Sequence, residues 1–151
     1  MQLIEKSSRY RYPVPVKLVI GFLARDENLL PTARESLGLR FGKEEDVLEP
    51  IPFHWLNYYE KELGSSPLRS FISYETLINR EQLIEIKRLT NDMEDEMRIA
   101  GKRPLNLDPG YLTLGQFFLA STKDQRHRVY VGKGIFIEPT LFFKQGEYYP
   151  F

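Results

Sequence analysis

One stretch of this chain, Val16–Leu23, limits the fold more than any other. Its apolar and β-branched residues occupy both alternating positions, so both faces of the strand that they predict must be covered. A strand of that kind lies inside a sheet and has a neighbour on each side. The sequence therefore predicts a sheet built around this segment.

Helical patterns follow this strand and predict an α+β fold. Asp26 is a plausible N-cap for a helix over about residues 27–38, which Gly38 or Gly42 would end. A longer helix is predicted over about residues 80–99. Its apolar face consists of Leu83, Ile86, Leu89, Met93 and Met97.

Further strands complete the order strand, helix, strand, strand, helix, strand. Residues 49–55 contain two prolines, which favours an edge strand, and His54 within them is interpreted as a packed or capping residue. Residues 68–75 and 104–108 predict the next strands, and residues 57–63 a short helix. This order is that of a ferredoxin-like βαββαβ sandwich.

The carboxyl-terminal part predicts antiparallel hairpin strands that extend the sandwich. The strands are expected over residues 128–131, 135–143 and 147–151, joined by turns at Gly132–Gly134 and Lys144–Gly146. Residues 1–14 are expected to form an N-terminal arm, and residues 15–151 a single α+β domain.

Two connections are interpreted from their turn chemistry. Asp108–Tyr111 has proline and glycine at the middle positions, as a type II turn requires. Residues 115–121 are ambiguous, and we interpret them as a short helix with Thr113 as a candidate cap.

Charge and cysteine content exclude several classes of function. Lys plus Arg and Asp plus Glu both number 21, which disfavours a domain built to grip duplex nucleic acid. The absence of cysteine excludes disulfides, thiolate metal sites and a cysteine nucleophile. No signal peptide and no apolar run long enough to span a membrane is evident, so a cytoplasmic location is expected.

Two polar groups within strand-like sequence predict a pocket. Asn106 and Asp108 alternate with leucines, so they share one face of a strand, and Tyr111 follows them. Further on, Lys123, His127 and Arg128 lead into an apolar run. Because a solvated loop does not need the interleaved apolar residues, we expect these two stretches to fold onto a common hollow.

The residue types in this hollow suit an anion. Lys123, His127 and Arg128 would hold a phosphate or carboxylate, and the histidine could also act as a general base. The other interpretation is an exposed basic loop, with Asp108 accepting backbone hydrogen bonds at a turn. A hard cation between Asp108 and Glu138 is a weaker alternative, so no metal site is predicted and no cofactor is assigned.

The long helix also carries a polar stripe. Lys87, Asn91, Glu94 and Arg98 are spaced by four, three and four residues, which aligns them on one face. We expect this face to be exposed to water, with an ion pair between Glu94 and Arg98. Asn91 departs from the pattern, because asparagine is a poor helix former.

The most specific segments resemble a known prokaryotic family, domain of unknown function 4416. The resemblance runs from about Val14 to the carboxyl end and is most specific between Asn106 and Glu138. It is carried by Thr90–Asn91 with Glu94, by residues 101–113, by residues 120–132 and by residues 134–141. That family has no settled activity, so the resemblance implies no reaction.

Three functions remain after this reasoning. The first is binding of a small anionic ligand, a nucleotide or a phosphorylated metabolite, with Asn106, Asp108 and Tyr111 opposite the basic group. The second is a protein-interaction or dimerisation module that uses the aromatic residues of the carboxyl-terminal hairpin. Single-stranded RNA binding on an open sheet face is a weaker third. The sequence does not decide whether the protein is an enzyme.

Overall fold

The structure, a computed structural model, describes residues 9–53, 63 and 66–151. His54, the end of the predicted edge strand, and the short helix predicted over residues 57–63, except Leu63, lie outside the described residues. Residues 9–14, the described part of the predicted arm, are exposed and belong to no helix or strand.

The first helix begins and ends at residues that the sequence indicates. A 3-10 turn over Glu27–Leu29 leads into α1 (Leu30–Phe41). The Asp26 side chain accepts a hydrogen bond from the N–H of Asn28, which caps the turn. Gly42 follows with a φ of 86°, a left-handed conformation that glycine adopts without strain, and the helix ends there.

The second helix, α2 (Gln82–Glu96), packs its predicted apolar face against the sheet. That face consists of the buried Leu83, Ile86 and Met93 and the partly buried Leu89, and the partly buried Met97 follows directly after the helix. The same helix buries Lys87 and Glu94. The prediction that the polar stripe is exposed to water is therefore wrong for these two residues.

All described strands belong to one antiparallel sheet. They are β1 (Lys17–Ala24), β2 (Glu44–Pro52), β3 (Leu68–Tyr74), β4 (Leu105–Leu112), β5 (Gln116–Ser121), β6 (Val129–Gly132), β7 (Ile135–Lys144) and β8 (Glu147–Pro150). The order is β2-β3-β1-β4-β5-β7-β6, and β8 also pairs with β7. The interior position of β1 and the edge position of β2 are both as predicted, although β2 begins at Glu44, before the predicted start at residue 49, and ends at Pro52.

The α+β class is confirmed, because one antiparallel sheet packs against two helices. The core lies between α1, α2 and one face of the sheet, and it includes Leu18, Ile20 and Leu107. The order of the whole sheet differs from that of a simple ferredoxin fold, because β5, β7 and β6 continue it beyond β4.

The predicted turn over Asp108–Tyr111 is wrong, because Pro109 and Gly110 lie inside β4. Close approach of two strands explains the glycine. A Cβ atom on Gly110 would lie 2.2 Å from the carbonyl oxygen of Phe118 on β5. Glycine allows this contact, so a residue that looks like a turn former instead marks a point where two backbones meet.

The predicted helix over residues 115–121 is also wrong, because Gln116–Ser121 form β5. The Thr113 hydroxyl accepts hydrogen bonds from the N–H groups of Gly115 and Gln116. A threonine that accepts from following N–H groups occurs in turns as well as at helix N-termini. Here it closes the short connection between β4 and β5.

The two carboxyl-terminal hairpins are confirmed. Lys133 and Gly134 have φ angles of 53° and 79°, and Gln145 and Gly146 have angles of 52° and 87°. Positive φ at both central residues is typical of the type I′ turns that connect hairpin strands.

None of the helices in the part of the chain that the structure describes has the length and apolar character needed to cross a lipid bilayer.

Candidate functional site

The sheet opens between β4 and β5. All of β4 pairs with β1, from Leu105 opposite Ala24 to Leu112 opposite Lys17. With β5, in contrast, only Gly110–Leu112 pair. The first part of β4 therefore has a neighbouring strand on one side only, and a gap separates it from the end of β5.

Side chains of α2 complete the hydrogen bonding in this gap. The N–H of Leu107 donates to Glu94 Oε1 over 2.6 Å, and the carbonyl of Leu107 accepts from Lys87 Nζ over 3.1 Å. Pro109, two residues further, has its nitrogen on the same side of the strand and needs no partner. The two buried charged residues thus replace the missing strand, because a buried backbone group without a partner is costly.

The gap forms a cavity of about 250 Å³, which we call the polar cavity. Its walls come from α2, from the start of β4, from the end of β5 with the following loop, and from Arg128 and β7. The described lining residues are Lys87, Asn91, Glu94, Arg103, Asn106, Asp108, Leu119, Ala120, Ser121, Thr122, Lys123, Arg128 and Glu138.

Four of the six predicted ligand-binding residues line this cavity. Asn106 and Asp108 come from β4, while Lys123 and Arg128 come from the loop after β5 and the approach to β6. The two distant stretches therefore do meet at one hollow, as the alternation of polar and apolar residues predicted.

The other two predicted residues lie outside the cavity. Tyr111 is on the opposite face of β4, with its ring centre 5.1 Å from that of Phe118, and burial raises the pKa of its hydroxyl. His127 is half exposed, and its Nε2 lies 3.1 Å from Glu138 Oε1. The histidine thus contacts a lining residue and does not itself line the cavity.

Arg128 is held in a fixed position at the rim. Its Nε donates to Glu138 Oε2 over 3.0 Å, and its Nη1 donates to Ser121 Oγ over 3.0 Å and to the carbonyl of Lys123 over 3.1 Å. Only 15% of the side chain is exposed. A planar guanidinium held in this way is well suited to a carboxylate or phosphate, because little side-chain entropy is lost on binding.

The Asp108 carboxylate lies next to cations and does not cap a turn. Its Oδ2 accepts a hydrogen bond from Asn106 Nδ2 over 2.9 Å. Arg69 Nη1 lies 3.7 Å from the same oxygen, and Lys87 Nζ lies 3.9 Å from Oδ1. The interpretation of Asp108 as a turn-capping residue is therefore wrong, because its carboxylate belongs to the charge network of the cavity.

Glu94 is the most deeply buried ionisable group of the cavity, with 2% of its side chain exposed. Arg103 Nη1 donates to its Oε2 over 3.1 Å, while its Oε1 accepts from Leu107. Burial raises the pKa of this carboxyl above its ordinary value. The Leu107 N–H and the nearby cations oppose this rise, and the negative charge of Asp108 adds to it.

Sequence reasoning missed the contribution of α2 to the site. The predicted ion pair between Glu94 and Arg98 is wrong, because Arg98 bonds Asp95 and Glu94 bonds Arg103. The available signal was Asn91, a poor helix former in mid-helix that lines the cavity. A polar stripe that contains such a residue is a candidate wall of a site.

The described lining of the cavity combines cations, carboxylates and neutral hydrogen-bonding groups. The lining includes the cations Lys87, Arg103, Lys123 and Arg128 and the carboxylates Glu94, Asp108 and Glu138. The amides of Asn91 and Asn106 and the hydroxyls of Ser121 and Thr122 add uncharged donors and acceptors. Such a set can neutralise an anion and also bind the hydroxyl groups next to it.

Comparison with known proteins adds a family and no activity. No curated protein matches the chain, and no solved structure does. A family model described as "Domain of unknown function (DUF4416)" matches residues 14–151, nearly the whole chain. The match includes every residue that lines the polar cavity, and the chain belongs to this family of unknown function.

Proposed function

We propose that the polar cavity binds a small anionic metabolite, and that a phosphorylated compound fits it better than a nucleotide does. The observation that carries this proposal is the guanidinium of Arg128, which Glu138, Ser121 and the Lys123 carbonyl hold in place at the rim of the cavity. Arg69 adds a further cation next to Asp108. An anion at the rim would be attracted by these guanidinium groups, whereas a metal cation there would be repelled by them.

The size and chemistry of the lining favour a small ligand. A volume of about 250 Å³ is below the range of roughly 300–1,000 Å³ that is usual for sites of drug-sized ligands. None of the described residues that line the cavity is aromatic, so a nucleotide base would find no ring to stack on. A short polar chain with one phosphate matches the amides and hydroxyls better.

Isothermal titration calorimetry with inorganic phosphate, glycerol 3-phosphate and AMP tests this proposal. Glycerol 3-phosphate should bind most tightly, because it adds hydroxyl contacts to the charge. Arg128→Gln should weaken it by roughly 10- to 100-fold, since a charged hydrogen bond contributes about 1.5–3 kcal/mol. Arg126→Gln is the matched control, because Arg126 is exposed and lies outside the cavity.

A second variant separates loss of binding from loss of loop structure. Arg128 also holds Ser121 and the Lys123 carbonyl, so its removal disturbs the loop. Asn91→Asp leaves these bonds intact and places a negative charge in the wall, which should abolish anion binding. Equal affinities of the wild-type protein and both cavity variants would refute the proposal, and so would an equal loss in Arg126→Gln.

We also infer that β1–β4 with α1 and α2 form a ferredoxin-like unit, which the later strands extend. Support comes from the order β2-β3-β1-β4 within the sheet and from the antiparallel pairing of each neighbouring pair. In this view the polar cavity lies where the unit joins its extension, between β4 and β5.

Self-association through the aromatic hairpin is a second candidate function. All four residues of β8 are exposed, and so are Phe143 and Phe151. The strand is short and ends in Pro150, features that usually block pairing of an edge strand. Light scattering at increasing protein concentration tests the idea, and a strictly monomeric mass at high concentration would argue against it.

A further inference from the structure

A second cavity lies beside the opposite end of β4 from the polar one. Its volume is about 610 Å³, within the range of roughly 300–1,000 Å³ that is usual for small-molecule sites. We call it the apolar cavity. Its described lining residues are Val14, Pro15, Val16, Lys17, Arg80, Leu112, Thr113, Leu114, Gly115, Phe143 and Tyr148.

Several apolar side chains in the walls of the apolar cavity are exposed to solvent. Leu114, at the turn between β4 and β5, is 97% exposed, and Val14 is 74% exposed. Phe143 and Tyr148 from the last hairpin are also exposed and pack on each other, with ring centres 5.1 Å apart. A contiguous group of exposed apolar side chains around a concave surface is typical of a binding site.

Two cations reach this cavity, and only one of them has a carboxylate partner among the described residues. Lys17 forms an ion pair with Glu45. Arg80 Nε is buried and has no hydrogen-bond partner in the described part of the chain, and its guanidinium carbon lies 5.9 Å from the ring centre of Tyr111. Arg80 therefore presents a positive charge that the described residues do not pair with a carboxylate.

From this combination we infer that the apolar cavity binds an amphipathic carboxylate, whose carboxyl group pairs with Arg80 and whose hydrocarbon part packs on Leu114, Phe143 and Tyr148. A guanidinium binds a carboxylate through parallel hydrogen bonds, and a partly buried site strengthens them. The apolar walls would release water from the hydrocarbon part. This ligand class differs from the small polar anion of the polar cavity.

Calorimetric titration with butanoate, octanoate and 1-octanol tests this inference. Affinity should rise by up to about fourfold per methylene from butanoate to octanoate, as the burial of each CH₂ predicts. Octanoate should also bind more tightly than 1-octanol, because only the carboxylate can pair with Arg80. Leu114→Asp should weaken both eight-carbon ligands.

Arg80→Gln is the decisive variant. It should lower octanoate affinity at least tenfold and change 1-octanol affinity less than about threefold, because the apolar contacts remain. Arg88→Gln, an exposed arginine of α2 outside the cavity, should leave both affinities unchanged. Circular dichroism of each variant checks that the fold is intact.

Several results would overturn the inference. Octanoate that binds equally well to wild-type protein and Arg80→Gln would remove the role of the cation. Absence of octanoate binding to the wild-type protein at millimolar concentration would overturn the inference outright.

Discussion

The two cavities lie beside the same strand and have opposite chemistry. The polar cavity is beside Asn106 and Asp108, and the apolar cavity is beside Leu112. Their difference follows from the pairing of β4. Where β5 is absent, the Leu107 N–H donates to Glu94 and the Leu107 carbonyl accepts from Lys87, so charged side chains lie beside the strand. Where β5 is present, the backbone is satisfied and apolar side chains surround the turn.

The comparison shows how a gap in a sheet can create a polar site. A buried Lys and Glu together are expensive to desolvate, and their backbone contacts offset that cost only while the gap exists. A continuous ladder between β4 and β5 would make both residues unnecessary. The same feature that costs stability therefore supplies the charges that we propose bind the ligand.

The largest expected effect comes from the glycine where pairing with β5 begins. Gly110→Ala would place a methyl group against the Phe118 carbonyl and force β4 and β5 apart. We expect a loss of about 3 kcal/mol in the free energy of unfolding, at the upper end of overpacking effects. Urea denaturation measures it.

The matched control is Gly115→Ala. An added Cβ at Gly115 would meet nothing within 4 Å. Its effect should stay within about 0.5 kcal/mol, as is usual for surface substitutions. Equal stability of the two alanine variants would contradict the close approach of β4 and β5 at Gly110.

A smaller and pH-dependent effect should follow from Glu94→Gln, which changes the polar cavity alone. The glutamine keeps an oxygen for Leu107 but turns its NH₂ group, a donor, toward the Arg103 guanidinium, which is also a donor, so we expect a loss of about 1–2 kcal/mol at neutral pH. Unfolding free energies of both proteins over a range of pH provide the measurement.

The sign of the pH dependence follows from the raised pKa of Glu94. Because the folded protein holds this proton more tightly than the unfolded chain does, the protonated carboxyl contributes stability that is fully present below the unfolded value of 4.5. That stability is lost as the pH rises through the folded-state pKa. The difference between wild type and variant should therefore shrink with rising pH, and parallel curves would contradict the raised pKa.

Heat capacity should distinguish the two cavities. Octanoate binding should have a negative heat-capacity change, on the order of −0.1 kcal/mol/K, because apolar surface is buried. Glycerol 3-phosphate binding should have a value closer to zero. Titrations at several temperatures measure both, and equal values would mean that the cavities do not differ as their linings indicate.

The smallest expected effects are the cross-effects between the cavities. Arg80→Gln should change glycerol 3-phosphate affinity by less than about twofold, and Arg128→Gln should do the same for octanoate, because distant sites act independently. A larger cross-effect in either direction would show that β4 couples the two cavities energetically.

Much of this fold could be predicted from local patterns. The doubly apolar segment Val16–Leu23 gave a central strand, and the apolar face of α2 was correct, because both depend on periodicity within one element. The turn at Pro109 and Gly110 and the helix over residues 115–121 were wrong. Proline and glycine are common in turns but here lie inside a strand, and Thr113 could cap a helix but here closes a turn. Only the position of β5 decides between these alternatives.

The candidate site was also predictable in part, where it depends on periodicity within one strand. Alternation along β4 put Asn106 and Asp108 on one face, and Tyr111 necessarily on the other. The burial of Lys87 and Glu94 was not predictable from α2, because their partner is the backbone of a distant strand. Pro109, which has no N–H to donate on that side of β4, is the one local trace of the missing pairing.

The proposal that the gap between β4 and β5 binds a small anion is tested most directly by nuclear magnetic resonance. Isotope-labelled protein is titrated with glycerol 3-phosphate, and each backbone amide is followed. The largest shifts should occur at Asn106, Ser121 and Lys123, with no change at Leu114. Shifts spread over exposed basic residues elsewhere, or absent at millimolar ligand, would contradict the proposal.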